Sequence, residues 1–169
     1  MEEIVNKVAK SPLITFNLED YYDQTETVAF DMKEHLFQGL ILREKDFRGF
    51  IKSHDWTTYE NKNVALFCSA DAIVPTWAYM LVANKLSGIA KHVFYGSVSE
   101  MQQSIILNKL SKLDIETFRD KMIVVKGCSK FEVPIGAYVA ITEMLTPVAK
   151  SIMFGEPCST VPIYKKKRV

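Results

Sequence analysis

Residues 74–96, VPTWAYMLVANKLSGIAKHVFYG, recur at 133–155 as VPIGAYVAITEMLTPVAKSIMFG, ungapped and at a constant offset of 59. Eight of the 23 positions are identical: Val74/Val133, Pro75/Pro134, Ala78/Ala137, Tyr79/Tyr138, Leu86/Leu145, Ala90/Ala149, Lys91/Lys150 and Gly96/Gly155. Upstream, Tyr59 aligns with Phe118 and Lys62 with Lys121 at the same offset. Self-similarity of this kind marks one supersecondary unit used twice, and it limits the chain to folds that two such units can build. Each shared position has a physical use. Proline suits the first turn of a helix, where its missing N–H costs nothing. The Ala-Tyr pair one turn later packs the helix on a sheet. Gly88 and Pro147 fall at equivalent helix ends, and both stop helices.

The surrounding pattern says what the unit is. Apolar runs at 64–67, 92–95, 122–125 and 152–154 alternate with helical spacing at 98–112 and after Pro75 and Pro134. Upstream, 13–16, 27–30 and 40–42 read as strands, and Phe47, Phe50 and Ile51 follow at helical spacing. Alternation of this sort predicts α/β structure. The expected fold is a mainly parallel sheet built from two duplicated βαβ units, Rossmann-like, with an N-terminal helix at 2–9 and edge strands. A length of 169 residues fits a single domain, 1–169, with repeats at 59–96 and 118–155 and segment 1–35 packed on the edge.

The three cysteines fall at related places in this frame. Cys68 ends the run 64–67, Cys128 ends 122–125 through Gly127, and Cys158 follows 152–154 by a short loop. Their texts are CSADAIVP, CSKFEVP and CSTVP, so Cys-Ser followed by Val-Pro occurs once for each cysteine. All three are expected at the carboxyl edge of a parallel sheet, where open α/β sheets bind ligands. If the repeats meet through their first strands, Cys68 and Cys128 become neighbours, about 4.8 Å from strand to strand. Helix N-termini aimed at that edge favour thiolates, and the hydroxyls of Ser69, Ser129 and Ser159 could donate to sulfur or to a bound anion. A thiolate site for zinc or an iron–sulfur cluster is the leading expectation, with Cys68, Cys128 and Cys158 as metal ligands. Metal-free thiol chemistry and plain burial of small hydrophobic cysteines are the alternatives. His35, His54 and His92 are expected at the amino-terminal edge, away from the sulfurs, with His54 and Trp56 anchoring a helix-to-strand connection. Glu44, Asp71 and Glu156 are placed on the cysteine edge.

Charge and hydropathy narrow the function further. A net charge of +1 with interspersed signs gives no basic face for nucleic acid. Lys165-Lys166-Lys167-Arg168 is expected to be a solvated tail that adds nothing to the fold. No apolar run reaches the roughly 18 residues of a membrane span. Met1-Glu2-Glu3 carries acids where a secretory signal carries bases, so the expected location is the cytoplasm, where thiols stay reduced. No Gly-rich nucleotide fingerprint follows any strand.

The stretches GLILREKDF, HDW, NVALFCSADAIVPTWAYML and AKSIMFGEPCSTVPIYK resemble the bacterial family called domain of unknown function 2480. The resemblance runs from about residue 28 to the end, with GEPCS-x-VP its most specific part. It implies no catalytic role. By the company such proteins keep, it implies an accessory role beside iron–sulfur assembly proteins. The functional expectation is therefore a cytoplasmic carrier or sensor of a metal or cluster. The alternatives are a cysteine-dependent thiol or sulfur-transfer enzyme, and a structural or partner-binding protein. Whether the chain is an enzyme, and its oligomeric state, are left open by the sequence.

Overall fold

The computed structural model describes residues 13–127 and 130–167, so the helix expected at 2–9 and the candidate ligand Cys128 lie outside the described residues. In chain order the strands are β1 (Leu13–Asn17), β2 (Thr27–Asp31), β3 (Asn63–Phe67), β4 (His92–Tyr95), β5 (Met122–Lys126), β6 (Ser151–Glu156) and β7 (Ser159–Lys165). The α-helices are α1 (Glu44–Ser53), α2 (Thr76–Leu86), α3 (Val98–Leu110) and α4 (Ile135–Leu145). Among the described residues no helix is long and apolar enough to cross a membrane. The chain divides into two compact units, Gln24–Met101 and a second made of Met1–Asp23 with Gln102–Val169.

The unit Gln24–Met101 carries a three-stranded sheet in the order β2-β3-β4, with both pairings parallel. Val64, Ala65 and Leu66 of the central strand are all buried. A strand covered on both faces has no use for alternation, and its sequence accordingly reads as one apolar run. Helix α2 presents Ala78, Val82 and Leu86 at four-residue spacing, all fully buried, and these pack with Phe30, Phe47, Ile51 and Trp56. The expected strand at 40–42 is not one. Ile41 makes only isolated bridges, to Phe37 and to Ile73, because Leu40 and Ile41 are more than half exposed and have no sheet face to join.

The other unit carries the order β1-β5-β6-β7. Strand β1 pairs parallel with β5, and β5 with β6, whereas β7 returns antiparallel beside β6. Its core is Phe16, Leu18, Ile106, Leu110, Ile123 and Val125 against Ala137, Ile141 and Leu145 of α4. Burial this complete makes each large residue expensive to lose, and truncating Ile141 to alanine costs about 2–5 kcal/mol.

The expected single, mainly parallel sheet is therefore two sheets, one wholly parallel and one mixed. Strands β3 and β5, which the sequence suggested as neighbours, belong to different sheets. The sequence offers a loop around Cys158 and a charged tail, and no strand, where β7 runs. That segment is an edge strand, and Pro162 sits at the register shift opposite Ile152 and Met153, the kind of place where a sheet tolerates proline. The tail is also less free than expected: Lys165 pairs with Ser151, the Lys166 N–H donates to the Lys150 carbonyl, and the Lys166 ammonium lies 3.0 Å from Asp120.

Local detail repeats at the offset of 59. The 3₁₀ turns Trp56–Tyr59 and Ile115–Phe118 are capped by the side chains of Asp55 and Asp114. Asn61 and Asp120 both take positive φ, 59° and 56°. Their N–H groups donate to the carbonyls of Ile89 and Val148, and Lys91 N–H to Lys62 just as Lys150 N–H to Lys121. Pro75 and Pro134 stand at the N-cap, one residue before the helix proper. A second, shorter correspondence has an offset of 14: Asn17 and Asp31 end their strands and cap the 3₁₀ turns Leu18–Tyr21 and Met32–His35.

Candidate functional site: the carboxyl edges of the two sheets

In the unit Gln24–Met101, Cys68 follows directly on β3. It is half-buried, carries no disulfide, and its thiol donates to the Ala70 carbonyl at 3.6 Å. Ser69 does not turn to the sulfur as expected. Its N–H donates to Asp31 Oδ1 at 2.9 Å and its hydroxyl to Asp31 Oδ2 at 2.5 Å, while Oδ1 also accepts from the Lys33 N–H. Asp31, at the end of the neighbouring strand, thereby grips the loop that carries the cysteine. Partial burial opposes its ionisation, but the bonds from Ser69 and Lys33 and the Lys33 charge prevail and hold its carboxyl below the usual range.

Tyr79, one turn into α2, packs edge-on against Tyr95 of β4 at 5.2 Å. Burial raises its phenol above the ordinary value, helped by Tyr95, Cys68 and Asp31, so the hydroxyl beside this edge is a neutral donor at physiological pH. The edge thus offers the Cys68 thiol, the Asp31 carboxylate and the paired phenols of Tyr79 and Tyr95.

The second sheet repeats the arrangement with other residues. Glu19, just past β1, accepts from the N–H groups of Lys130 at 2.8 Å and Phe131 at 3.3 Å, which ties down the loop after β5 as Asp31 ties down Ser69. Tyr22 stacks on Phe131 at 4.6 Å. Tyr138 meets Phe154 edge-on at 5.8 Å, the counterpart of Tyr79 and Tyr95. Glu156, placed on this edge by the sequence, is paired with Lys126 at 2.9 Å. Cys158 is exposed, carries no disulfide, and occupies the two-residue turn that joins β6 to β7. Beside these loops, between α4 and the strands β5, β6 and β7, opens a cavity of 450 Å³ lined mainly by apolar side chains, with Glu132 its charged member.

Cys68 and Cys158 thus stand at the carboxyl ends of strands, as the sequence predicted, but in separate units. The premise that Cys68 and Cys128 follow paired strands fails with the sheet order. Among the described residues no three histidine, cysteine, aspartate or glutamate side chains gather as a metal site.

The histidines fall elsewhere. His92 opens β4 at its amino end, as expected. His35, expected at an amino-terminal edge, lies in the 3₁₀ turn that leaves the carboxyl end of β2. It packs on Phe50 at 4.0 Å, and burial, then the neighbouring His54, pushes its basicity down. His54 bonds the Tyr59 hydroxyl at 3.3 Å, and the Trp56 indole donates to the Ile51 carbonyl at 3.0 Å, so this pair does fix the connection from α1 to β3. Sequence reasoning missed Asp31 and Glu19. For Asp31 the available signal was the parallel between FNLE at 16–19 and FDMK at 30–33, a polar cap that ends each strand one residue after a phenylalanine; Glu19, aligned with Lys33, had no such signal.

No curated protein and no solved structure matches the chain. A family model does: Protein of unknown function (DUF2480) matches residues 2–166, and the chain belongs to that family.

Proposed function

From that membership, which brings no activity with it, we propose that the chain is a cytoplasmic thiolate protein. It takes zinc or an iron–sulfur cluster on Cys68, Cys128 and Cys158 and serves assembly or transfer of that group rather than turnover of a metabolite. The observation that supports this is the position of the two described thiols. Each lies in the loop or turn that leaves the carboxyl end of a strand, neither is tied into a disulfide, and each opens a Cys-Ser text that recurs at Cys128. Three soft sulfur donors favour zinc or iron–sulfur over hard cations, and a three-thiolate set keeps a position open for exchange. Iron–sulfur assembly proteins are the partners in this reading, on the strength of the family resemblance alone.

The test is the metal content and optical spectrum of anaerobically purified protein, beside Cys68→Ser, Cys128→Ser and Cys158→Ser. Stoichiometric zinc, or iron with absorption near 400 nm, is expected, and each substitution should lower it. Metal content near zero, or unchanged in all three variants, would sink the proposal. The exposure of Cys158 supports a second reading, a thiol or sulfur-transfer enzyme. Metal-free protein in which Cys158 alone alkylates rapidly would favour it.

We also infer that the two units are copies of one Rossmann-like βαβ ancestor. Support comes from the constant offset of 59, the matched caps and positive-φ residues, and the parallel central pairings in each sheet.

A further inference from the structure

Strand β7 extends the second sheet beyond β6. Helix α4 packs its buried stripe over β5 and β6, and β7 then extends the sheet by one strand. Among the described residues strand β4, the counterpart of β6, ends its own sheet. The result is a concave space of 450 Å³ with Val133, Tyr138 and Thr142 on one side and Met153, Phe154 and Ile163 on the other. Its rim leaves apolar surface in water: Ile135 is 80% exposed, Ile163 52% and Phe154 44%. A contiguous apolar surface of this kind is costly to a soluble domain and marks a place where something binds. The volume falls in the range of about 300–1,000 Å³ typical of small-molecule sites, which combine apolar walls with few polar groups. The polar groups here are few and unequal. Thr142 spends its hydroxyl on the Tyr138 carbonyl, whereas Glu132, exposed at the cavity, brings a carboxylate.

We propose that this cavity binds a small molecule with an aromatic or branched aliphatic body and a cationic head. The body sits between α4 and the β5–β6–β7 surface, and the head meets Glu132. The proposal is independent of the cysteines, none of which lines the cavity among the described residues, and holds whether or not metal is bound.

The test uses the full chain and two probes that share one body and differ in charge, 2-naphthylmethylammonium and 2-naphthoate. Methyl NMR reports the site through Met153, Val133 and Ile163. The ammonium probe should shift these methyl signals and bind about three to five times more tightly than the carboxylate, the scale of one exposed charge pair. Glu132→Gln should erase that preference while naphthyl binding persists. Ile163→Trp, placed on a half-exposed position where the fold tolerates bulk, should block both probes. Cys68→Ser and Cys158→Ser should leave every one of these results unchanged. Absence of shifts at the three methyl groups overturns the proposal, as does equal affinity for the two probes in the unsubstituted chain. The shift map of the unsubstituted protein decides the matter even if Ile163→Trp fails to fold.

Discussion

Replacing Gly127 by alanine isolates one contact. Gly127 has no positive φ, so alanine suits its backbone and only the added methyl matters. That methyl would fall well inside van der Waals contact of the Tyr138 hydroxyl and 3.1 Å from ring atom Cζ. The ring has little room to withdraw, since Phe154 packs against it at 5.8 Å and its backbone belongs to the first turn of α4. Forcing one extra carbon into such a place costs typically about 1–3 kcal/mol, so Gly127→Ala should cost about 2 kcal/mol. Tyr138→Phe removes the closest atom and leaves the 3.1 Å approach, which a shift of a few tenths of an ångström relieves. In that background the same substitution should cost less than about 1 kcal/mol, a coupling of about 1 kcal/mol or more. Urea unfolding of the four proteins measures the cycle. In melting temperature the single variant should fall by about 4–8 °C, given about 2–4 °C per kcal/mol in a chain this size. Equal costs in the two backgrounds would refute the steric account and with it the described position of Tyr138 over the loop that leads to Cys128.

Two other perturbations test the loops and the edge. Asp31→Asn should cost about 1 kcal/mol at pH 7, since it weakens three hydrogen bonds to a charged acceptor. Because folding lowers the Asp31 pKa, its contribution is complete above the unfolded value near 3.8 and disappears as pH falls through the lower folded value. The stability gap between the two proteins should therefore close below about pH 4, and a gap constant from pH 7 to 3 would remove Asp31 from its assigned role. Deleting residues 165–169 should lower the melting temperature by about 2–4 °C, through loss of the last β7 pairing and of the backbone bond from Lys166 to Lys150. An unchanged melting temperature would return the tail to the solvent.

What the sequence made legible was whatever burial and repetition write locally. Strands β3 and β5 are short uniform apolar runs because both faces are covered, and α2 and α4 announce themselves by their shared prolines and four-residue spacing. Partner choice is not local. That β1 joins β5, and β2 joins β3, depends on which apolar faces meet after a separation of many residues, and no periodicity encodes it. Strand β7 was hidden because its pairing is made by backbone groups, which leave no pattern around Pro162. The ends of strands were readable, so Cys68 and Cys158 were placed on the correct edge of their sheets. The grip of Asp31 on Ser69 was not readable, since an aspartate that caps its own turn gives no sign that it also holds a loop 38 residues away. The cavity escaped for the same reason as β7, which builds one side of it.

The nesting of the units bears on how the chain is made. Gln24–Met101 is one continuous stretch, whereas the unit that contains β1 resumes only at Gln102. Strand β1 leaves the ribosome before the inserted stretch and then waits for β5, whose first residue is Met122. At synthesis rates of about 5–20 residues per second, that wait lasts on the order of 5–20 s. Throughout it Phe16 and Leu18, destined for a closed core, have no partner sheet, while the inserted stretch can already fold. The nascent chain is consequently exposed to misassociation at β1, and crowding or slow translation between residues 24 and 122 would lengthen that exposure without changing the finished fold.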